Sequence, residues 1–171
     1  MPTPDPLLAR QEEFVALIAR HQGILFKVAS AYCRAAEDRR DLEQEITVQL
    51  WRSFPTFDAR ARFSTWMYRV ALNVAISFRR RDEIRRRHVP PAGGELLEVV
   101  DPSPPAADDR TDKLWRLVHA FPELDRALLL LWLDGHDHAA IGEVLGLTAT
   151  NVGTRIHRLK ERLRERFDPT N

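Results

Sequence analysis

Apolar residues recur at spacings of three and four along nearly the whole chain, and alternation of β-branched with polar residues is absent. That period belongs to helices, so the chain reads as all-α. Phe14, Leu17, Ile18, Leu25 and Val28 outline a first helix, with Gly23 its weak point. Leu42, Ile46 and Leu50 with Trp51 outline a second, which Pro55 ends, and FPTFDARAR follows as a loop. A long helix is expected from Ser64 to about residue 87, with Ser64 or Thr65 as its cap. Met67, Val70, Ala71, Val74 and Phe78 form its apolar stripe, and Arg69, Asn73, Ser77 and Arg80 form a second stripe on a different face.

The period then breaks. Residues 89–109 hold five of the eleven prolines and a Gly-Gly pair, so PPAGGELLEVVDPSPPAADD reads as a linker. It divides two small helical domains, residues 8–87 and 112–168, across a connector at 88–111. Each is small and would bury a modest core alone. Leu96, Leu97, Val99 and Val100 give the connector enough apolar surface to dock. In the second half, one helix is expected over 112–119. Another opens at Pro122 and runs to Asp134, with Gly135 as its C-cap. Asp137 can cap a short helix, HAAIGEVL, before a tight turn at Gly146 and Leu147. Thr148 caps the last helix, whose buried side is Val152, Ile156, Leu159 and Leu163. A short helix, a glycine-bearing turn and a longer helix make a helix-turn-helix, with a purely structural hairpin as the alternative.

Net charge is only +1 over 171 residues, but the charge is segregated. Residues 60–87 carry nine basic and two acidic side chains, residues 88–112 six acidic and one basic, and residues 152–166 six basic and two acidic. Two basic patches flank an acidic Pro-rich connector. Cys33 is the only cysteine, which excludes an intrachain disulfide and a cysteine metal site and fits a reducing cytoplasm. The N-terminal residues lack a signal-peptide pattern. The longest apolar run is seven residues, against the roughly 20 needed to span a bilayer, so no membrane insertion is expected.

The charge pattern is sharpest at residues 57–81. Between 59 and 81 lie six arginines and no acid, interleaved with Phe63, Trp66, Tyr68 and Phe78. Cations neutralise phosphates and aromatic faces stack on bases, the equipment for a nucleic acid strand, single-stranded especially. A solvated helix face normally mixes signs, which this one does not. Trp66 is expected in the core. In the helix-turn-helix, Thr150, Asn151, Thr154, Arg155 and Arg158 lie outward, where side chains read base edges and hold phosphates in a major groove.

On these residues the chain resembles the extracytoplasmic-function (ECF) sigma factors of bacterial RNA polymerase, the two-domain minimal members of the sigma-70 class. DLEQEITVQLWRSFPTFDARARFSTWMYRVALNVAISFRRR resembles the family's region 2, and FPELDRALLLLWLDGHDHAAIGEVLGLTATNVGTRIHRLKERLRE its region 4. The resemblance covers about residues 10–86 and 112–166. It implies an alternative sigma factor that directs core polymerase to promoters. Asp38, Asp41, Gln44 and Glu45 would meet the clamp helices of the largest subunit. The family often has D-A-E-D-L-V-Q-E where this chain has DRRDLEQE, so Arg39 and Arg40 make that surface less negative. In some family groups that lack acids there, a phosphorylated threonine supplies the charge, and Thr47 stands nearby. Arg60, Ala61, Arg62 and Phe63 match the loop that captures a flipped base of the minus-10 element. Arg69, Asn73, Ser77 and Arg80 extend that surface. Thr148, Thr150, Asn151, Thr154, Arg155, His157 and Arg158 would meet the minus-35 duplex, although a solvated His157 fits equally. Gly153 stands where the family often has Lys or Arg, removing one DNA contact. The linker would thread the RNA exit channel. Implied partners are core polymerase, including the flap of its second-largest subunit, and promoter DNA, with room for an anti-sigma factor. No cofactor and no metal are implied.

Other classes fit less well. An ordinary helix-turn-helix transcriptional regulator would carry a sensing cavity where this chain carries a cationic-aromatic stripe. A polymerase-binding mimic would lose the basic stripes. An enzyme would need a phosphate loop, a nucleophile motif or paired carboxylates, none of which is present. His136, Asp137 and His138 are too close in sequence to converge on one ion. The protein is expected to have no catalytic chemistry.

Overall fold

The structure is a computed structural model that describes residues 6–88 and 109–167. Among those residues are seven α-helices: α1 (Pro6–Tyr32), α2 (Ala36–Ser53), α3 (Phe63–His88), α4 (Asp109–His119), α5 (Glu123–Leu133), α6 (His138–Leu145) and α7 (Ala149–Phe167). A 3-10 turn at Phe54–Thr56 carries Pro55 and ends α2, as the sequence expects. α1 is kinked at His21 (φ −114°, ψ 15°), two residues before the expected weak point at Gly23. Residues 89–108 of the expected linker, with Leu96, Leu97, Val99 and Val100, lie outside the described residues, while His88 closes α3 and 109–111 already belong to α4.

α1, α2 and α3 pack on one another. Leu42, Ile46 and Leu50 are fully buried at i, i+4 and i+8 of α2, and Met67, Ala71 and Ala75 answer them from α3. Burying each such aliphatic side chain contributes about 1.5–3 kcal/mol. Phe54, Phe57, Phe63 and Trp66 form an aromatic cluster under the α2–α3 loop, with centroid separations between 5.1 and 6.4 Å. It fixes where that loop leaves the bundle.

The middle of α5 is a run of apolar residues covered from several sides. α1 of the first half packs against it, and α4, α6 and α7 pack around the rest. Ala127 to Leu131 are all buried for this reason. The two halves therefore do not keep separate small cores, as the linker implied. Their buried residues form one contiguous cluster, with α4 and α5 against α1 and α6 against α3.

The caps of the second half follow the sequence. Asp137 Oδ1 accepts from the Ala140 amide at 2.8 Å, and Thr148 Oγ1 accepts from the Asn151 amide at 3.2 Å. Gly135 (φ 80°) and Gly146 (φ 69°) take the left-handed conformation that ends α5 and α6. Gly142 serves a different purpose. A Cβ there would lie 2.5 Å from the Leu147 carbonyl oxygen, so the turn between α6 and α7 closes onto bare backbone. Gly142→Ala is expected to destabilise the chain by about 1 kcal/mol, because overlap outweighs the helix-propensity gain. Gly23→Ala, with nothing within 4 Å of its Cβ, is expected to stabilise by up to about 1 kcal/mol. Thermal melts of both variants check the opposite signs.

Candidate nucleic-acid and polymerase interface

The stripe expected on α3 exists. Arg69, Asn73, Ser77 and Arg80 are all exposed, while Met67 and Ala71 are buried and Val70, Val74 and Phe78 half-buried on the packed side. The loop before α3 is held by a residue the sequence reading overlooked. Asp58 accepts from the Arg60 amide at 3.1 Å and pairs with Arg60 Nε at 3.0 Å, while its carbonyl accepts from the Ala61 amide at 3.2 Å. This local turn projects Arg60 and Arg62 outward, with Ala61 half-buried. Phe63 departs from expectation. It is 8% exposed, its ring against Phe57, Trp66 and His21, so it supports the loop from beneath and offers no face to a base. Trp66 joins the same cluster, as expected of a core residue. Arg69 is engaged: its guanidinium donates to the Glu143 carbonyl at 2.9 Å and approaches the Glu143 carboxylate at 3.3 Å.

On α2, Asp41 and Gln44 are exposed side by side, and Asp38 is half-buried. Glu45 is paired with Arg81 of α3. Arg39 is turned back to the Arg34 carbonyl, which leaves Arg40 as the cation on the outward face. Val48, which the sequence reading passed over, and Trp51, which it grouped with Leu42, Ile46 and Leu50, are exposed on the same helix. A patch with Asp41 and Gln44 above Val48 has the apolar centre and polar edge of a protein-binding surface. The Thr47 hydroxyl donates to the Glu43 carbonyl at 2.8 Å and is half-buried between α1 and α2.

Thr148, just before α7, and Thr150, Asn151, Thr154, His157 and Arg158 on it are exposed. Arg155 is turned along the helix: its Nε donates to Asn151 Oδ1 at 3.1 Å, and its guanidinium lies 3.7 Å from Asp125 of α5. His157 lies 3.3 Å from Glu161. Gly153 has a packing role in this fold. A Cβ there would meet the His138 ring at 3.2 Å, so this position faces α6 and lets the two helices of the motif approach.

Two other features bear on the surfaces. Asp134, just after α5, takes the Tyr68 hydroxyl at 2.7 Å and pairs with Lys27. Burial alone would raise its carboxyl, but these two donors outweigh it and hold the group below its ordinary value. Desolvation, followed by this bond, pushes the Tyr68 hydroxyl far up. The buried Cys33 thiol is raised to about 12, chiefly by desolvation, and is inert at neutral pH. Among the described residues no group of three or more His, Cys, Asp or Glu could hold a metal ion, and no helix is long and apolar enough to cross a membrane.

Comparison with known proteins places two families on the chain in order. Sigma-70 region 2 matches residues 17–85, and Sigma-70, region 4 matches residues 111–163. The ECF RNA polymerase sigma-E factor of Escherichia coli (strain K12) is 25% identical over 174 residues, spanning 93% of this chain and 88% of the relative. The ECF RNA polymerase sigma factor SigE of Mycolicibacterium smegmatis is 28% identical over 154 residues, spanning 87% of this chain and 59% of the relative. The solved structure of CnrH in complex with the cytosolic domain of CnrY aligns with a TM-score of 0.66 at 20% identity, over 94% of this chain and 91% of that one. The sigma factor RpoE from Bartonella quintana, solved with the anti-sigma factor NepR, gives 0.65 at 15% identity, over 94% and 98%. At those identities the structural likeness is one of fold.

Proposed function

This chain belongs to the extracytoplasmic-function group of the sigma-70 family and acts as an alternative sigma factor directing RNA polymerase to promoters; from that premise we propose which residues perform each part. The loop residues Arg60 and Arg62 and the exposed stripe Arg69, Asn73, Ser77 and Arg80 hold the unpaired strand of the minus-10 element. Ala61 lines the same loop, and Phe63 positions it from below. Thr148, Thr150, Asn151, Thr154, His157 and Arg158 face the minus-35 duplex, with Arg155 in a lesser role because Asp125 competes for it. Asp41 and Gln44, with Val48, meet the clamp helices, and Asp38 and Glu45 border that patch. The second half meets the flap of the other large subunit.

The observation that supports this reading most is the pair of separate, acid-poor, exposed surfaces, one on a loop and long helix, one on a helix-turn-helix. Duplex reading and strand capture need different geometry, and the two surfaces supply one each. The role is not enzymatic, its setting is the cytoplasm, and an anti-sigma factor is a further partner, as in the solved complex of RpoE with NepR. Run-off transcription with purified core polymerase on a promoter library tests the whole; absence of both core binding and promoter-dependent initiation would end it.

The division of labour has its own test. Arg158→Ala is expected to weaken duplex binding and reduce the salt slope by about 1, and Arg155→Ala to do less. Asn73→Ala with Arg62→Ala should spare duplex binding and slow opening by about tenfold, the order of one lost base contact. A template mismatched around the start site should rescue much of the second defect and none of the first. Run-off rates on matched and mismatched templates check this.

A further inference from the structure

The contact between the halves is asymmetric in charge. Between them lies a cavity of about 730 Å³. Its first-half wall carries Arg20, Lys27, Arg60 and Arg62, and its second-half wall carries Asp134, Asp137 and Glu143. Bonds already cross at two points: Lys27 to Asp134, and Arg69 to Glu143. The loop that opens α3 therefore faces carboxylates, and one cation of the α3 stripe is in a carboxylate's grasp.

We propose that the acidic wall of the second half, Asp134, Asp137 and Glu143, is an intramolecular competitor for the strand-binding surface of the first half, standing where the phosphates of single-stranded DNA would stand. This rests on the reading of α3 and its loop as the strand surface. The chemistry supports it. Carboxylates and phosphodiesters are both anionic oxygen acceptors, and Arg69 offers Glu143 the donors it would offer a phosphate. The half-exposed pairs are individually weak. The crossing pairs act together with the buried contact of α4 and α5 on α1 to hold the acidic wall in place, where Tyr32 donates to the Glu123 carbonyl at 2.8 Å and Arg126 to the Ala31 carbonyl at 3.3 Å. The masking is partial by construction. Asn73, Ser77 and Arg80 remain exposed beyond it, so a strand can engage the far end of the stripe and displace the carboxylates progressively. A protein whose binding-competent state is a minor fraction has its affinity reduced by that fraction, and this supplies the expected magnitude.

The test uses the full chain, a fluorescent single-stranded oligonucleotide of mixed sequence, and small-angle scattering. The triple variant Asp134→Asn, Asp137→Asn, Glu143→Gln is expected to expand in solution and to bind the oligonucleotide about tenfold more tightly. Glu143→Gln alone, an exposed change that leaves the core intact, should move both readouts less and in the same direction. Removing the same sort of charge from α7, with Glu161→Gln and Glu165→Gln, should raise affinity far less and leave the dimensions unchanged. Equal gains from the α7 variant would overturn the proposal, because general charge would then explain them. Expansion without tighter binding, while core-dependent run-off transcription persists, would overturn the masking and leave the sigma-factor reading intact. If no variant binds the strand and run-off also fails, both readings fall together.

Discussion

Arg126→Met is expected to destabilise the folded chain by about 3 kcal/mol, more than any surface change proposed for the DNA-binding faces. Arg126 is 8% exposed, and among the described residues no carboxylate forms a salt bridge with it. Its Nε donates to the Phe121 carbonyl at 2.7 Å, one terminal nitrogen to the His119 carbonyl at 2.8 Å, and the other to the Ala31 carbonyl at 3.3 Å. Ala31 is in the last turn of α1 and His119 ends α4, so the counter-charge is supplied by two helix C-termini. The Tyr32 ring lies beneath the guanidinium at 6.0 Å. Desolvation lowers the Arg126 pKa, although an arginine remains charged at neutral pH. Methionine fills the volume but leaves three carbonyls without their donor, and that loss exceeds the desolvation recovered. Lysine restores the charge but not the fork that reaches both halves, so Arg126→Lys should recover only part of the stability. Because the acceptors lie in both halves, the Met variant should also lose cooperativity, with α4 and α5 loosening from α1 first. Urea titrations followed by circular dichroism measure the shift; a Met variant within about 1 kcal/mol of the parent would contradict the assignment.

The contrast between Arg126 and Asp137 marks what the sequence could and could not convey. Asp137, Gly146 and Thr148 act within four residues of themselves, through capping and turn rules that hold in any protein, so the helix-turn-helix was legible in advance. The exposed stripe on α3 was legible for the same reason, since helical period alone places Asn73, Ser77 and Arg80. Arg126 acts on Ala31 across 95 positions, and Tyr68 on Asp134 across 66. No local pattern announces such partners. The lone Arg126 within ELDRALLLLWL is the one local sign of a buried cation in need of acceptors. The same blindness applies to the burial of Phe63 and the packing at Gly153, because the Phe57–Trp66 cluster and the His138 ring are tertiary neighbours. The proline-rich connector also suggested independence, whereas the apolar run at residues 127–131 in α5 takes cover from α1 of the other half as well as from α4, α6 and α7.

His119 sits at the same junction and sets the largest expected pH effect. Desolvation lowers its pKa to about 4, Arg126, Arg34 and Arg79 push the same way, and a hydrogen bond to the Ser30 backbone opposes them. The unfolded chain protonates the group near its ordinary value of 6.5. Between those two values the unfolded state holds more protons than the folded one, so stability rises with pH across that window. Its contribution is complete above the unfolded value and falls as pH drops toward the folded one. Acidification from about pH 7 to about pH 5 should therefore cost about 1 kcal/mol from this residue, since solvent reaching the partly exposed ring screens part of the full shift. Asp134 contributes in a separate window: its depressed pKa keeps the Lys27 and Tyr68 contacts until pH falls below the ordinary carboxylate range, so it does not blur the effect. His119→Asn keeps a polar side chain of similar reach and removes the titration. Its stability should be nearly flat between about pH 7 and pH 5, where the parent's declines. Parallel urea titrations of both chains at the two pH values decide it: equal slopes would show that His119 is hydrated, and that the junction between the halves is looser than its three neighbouring guanidinium groups imply.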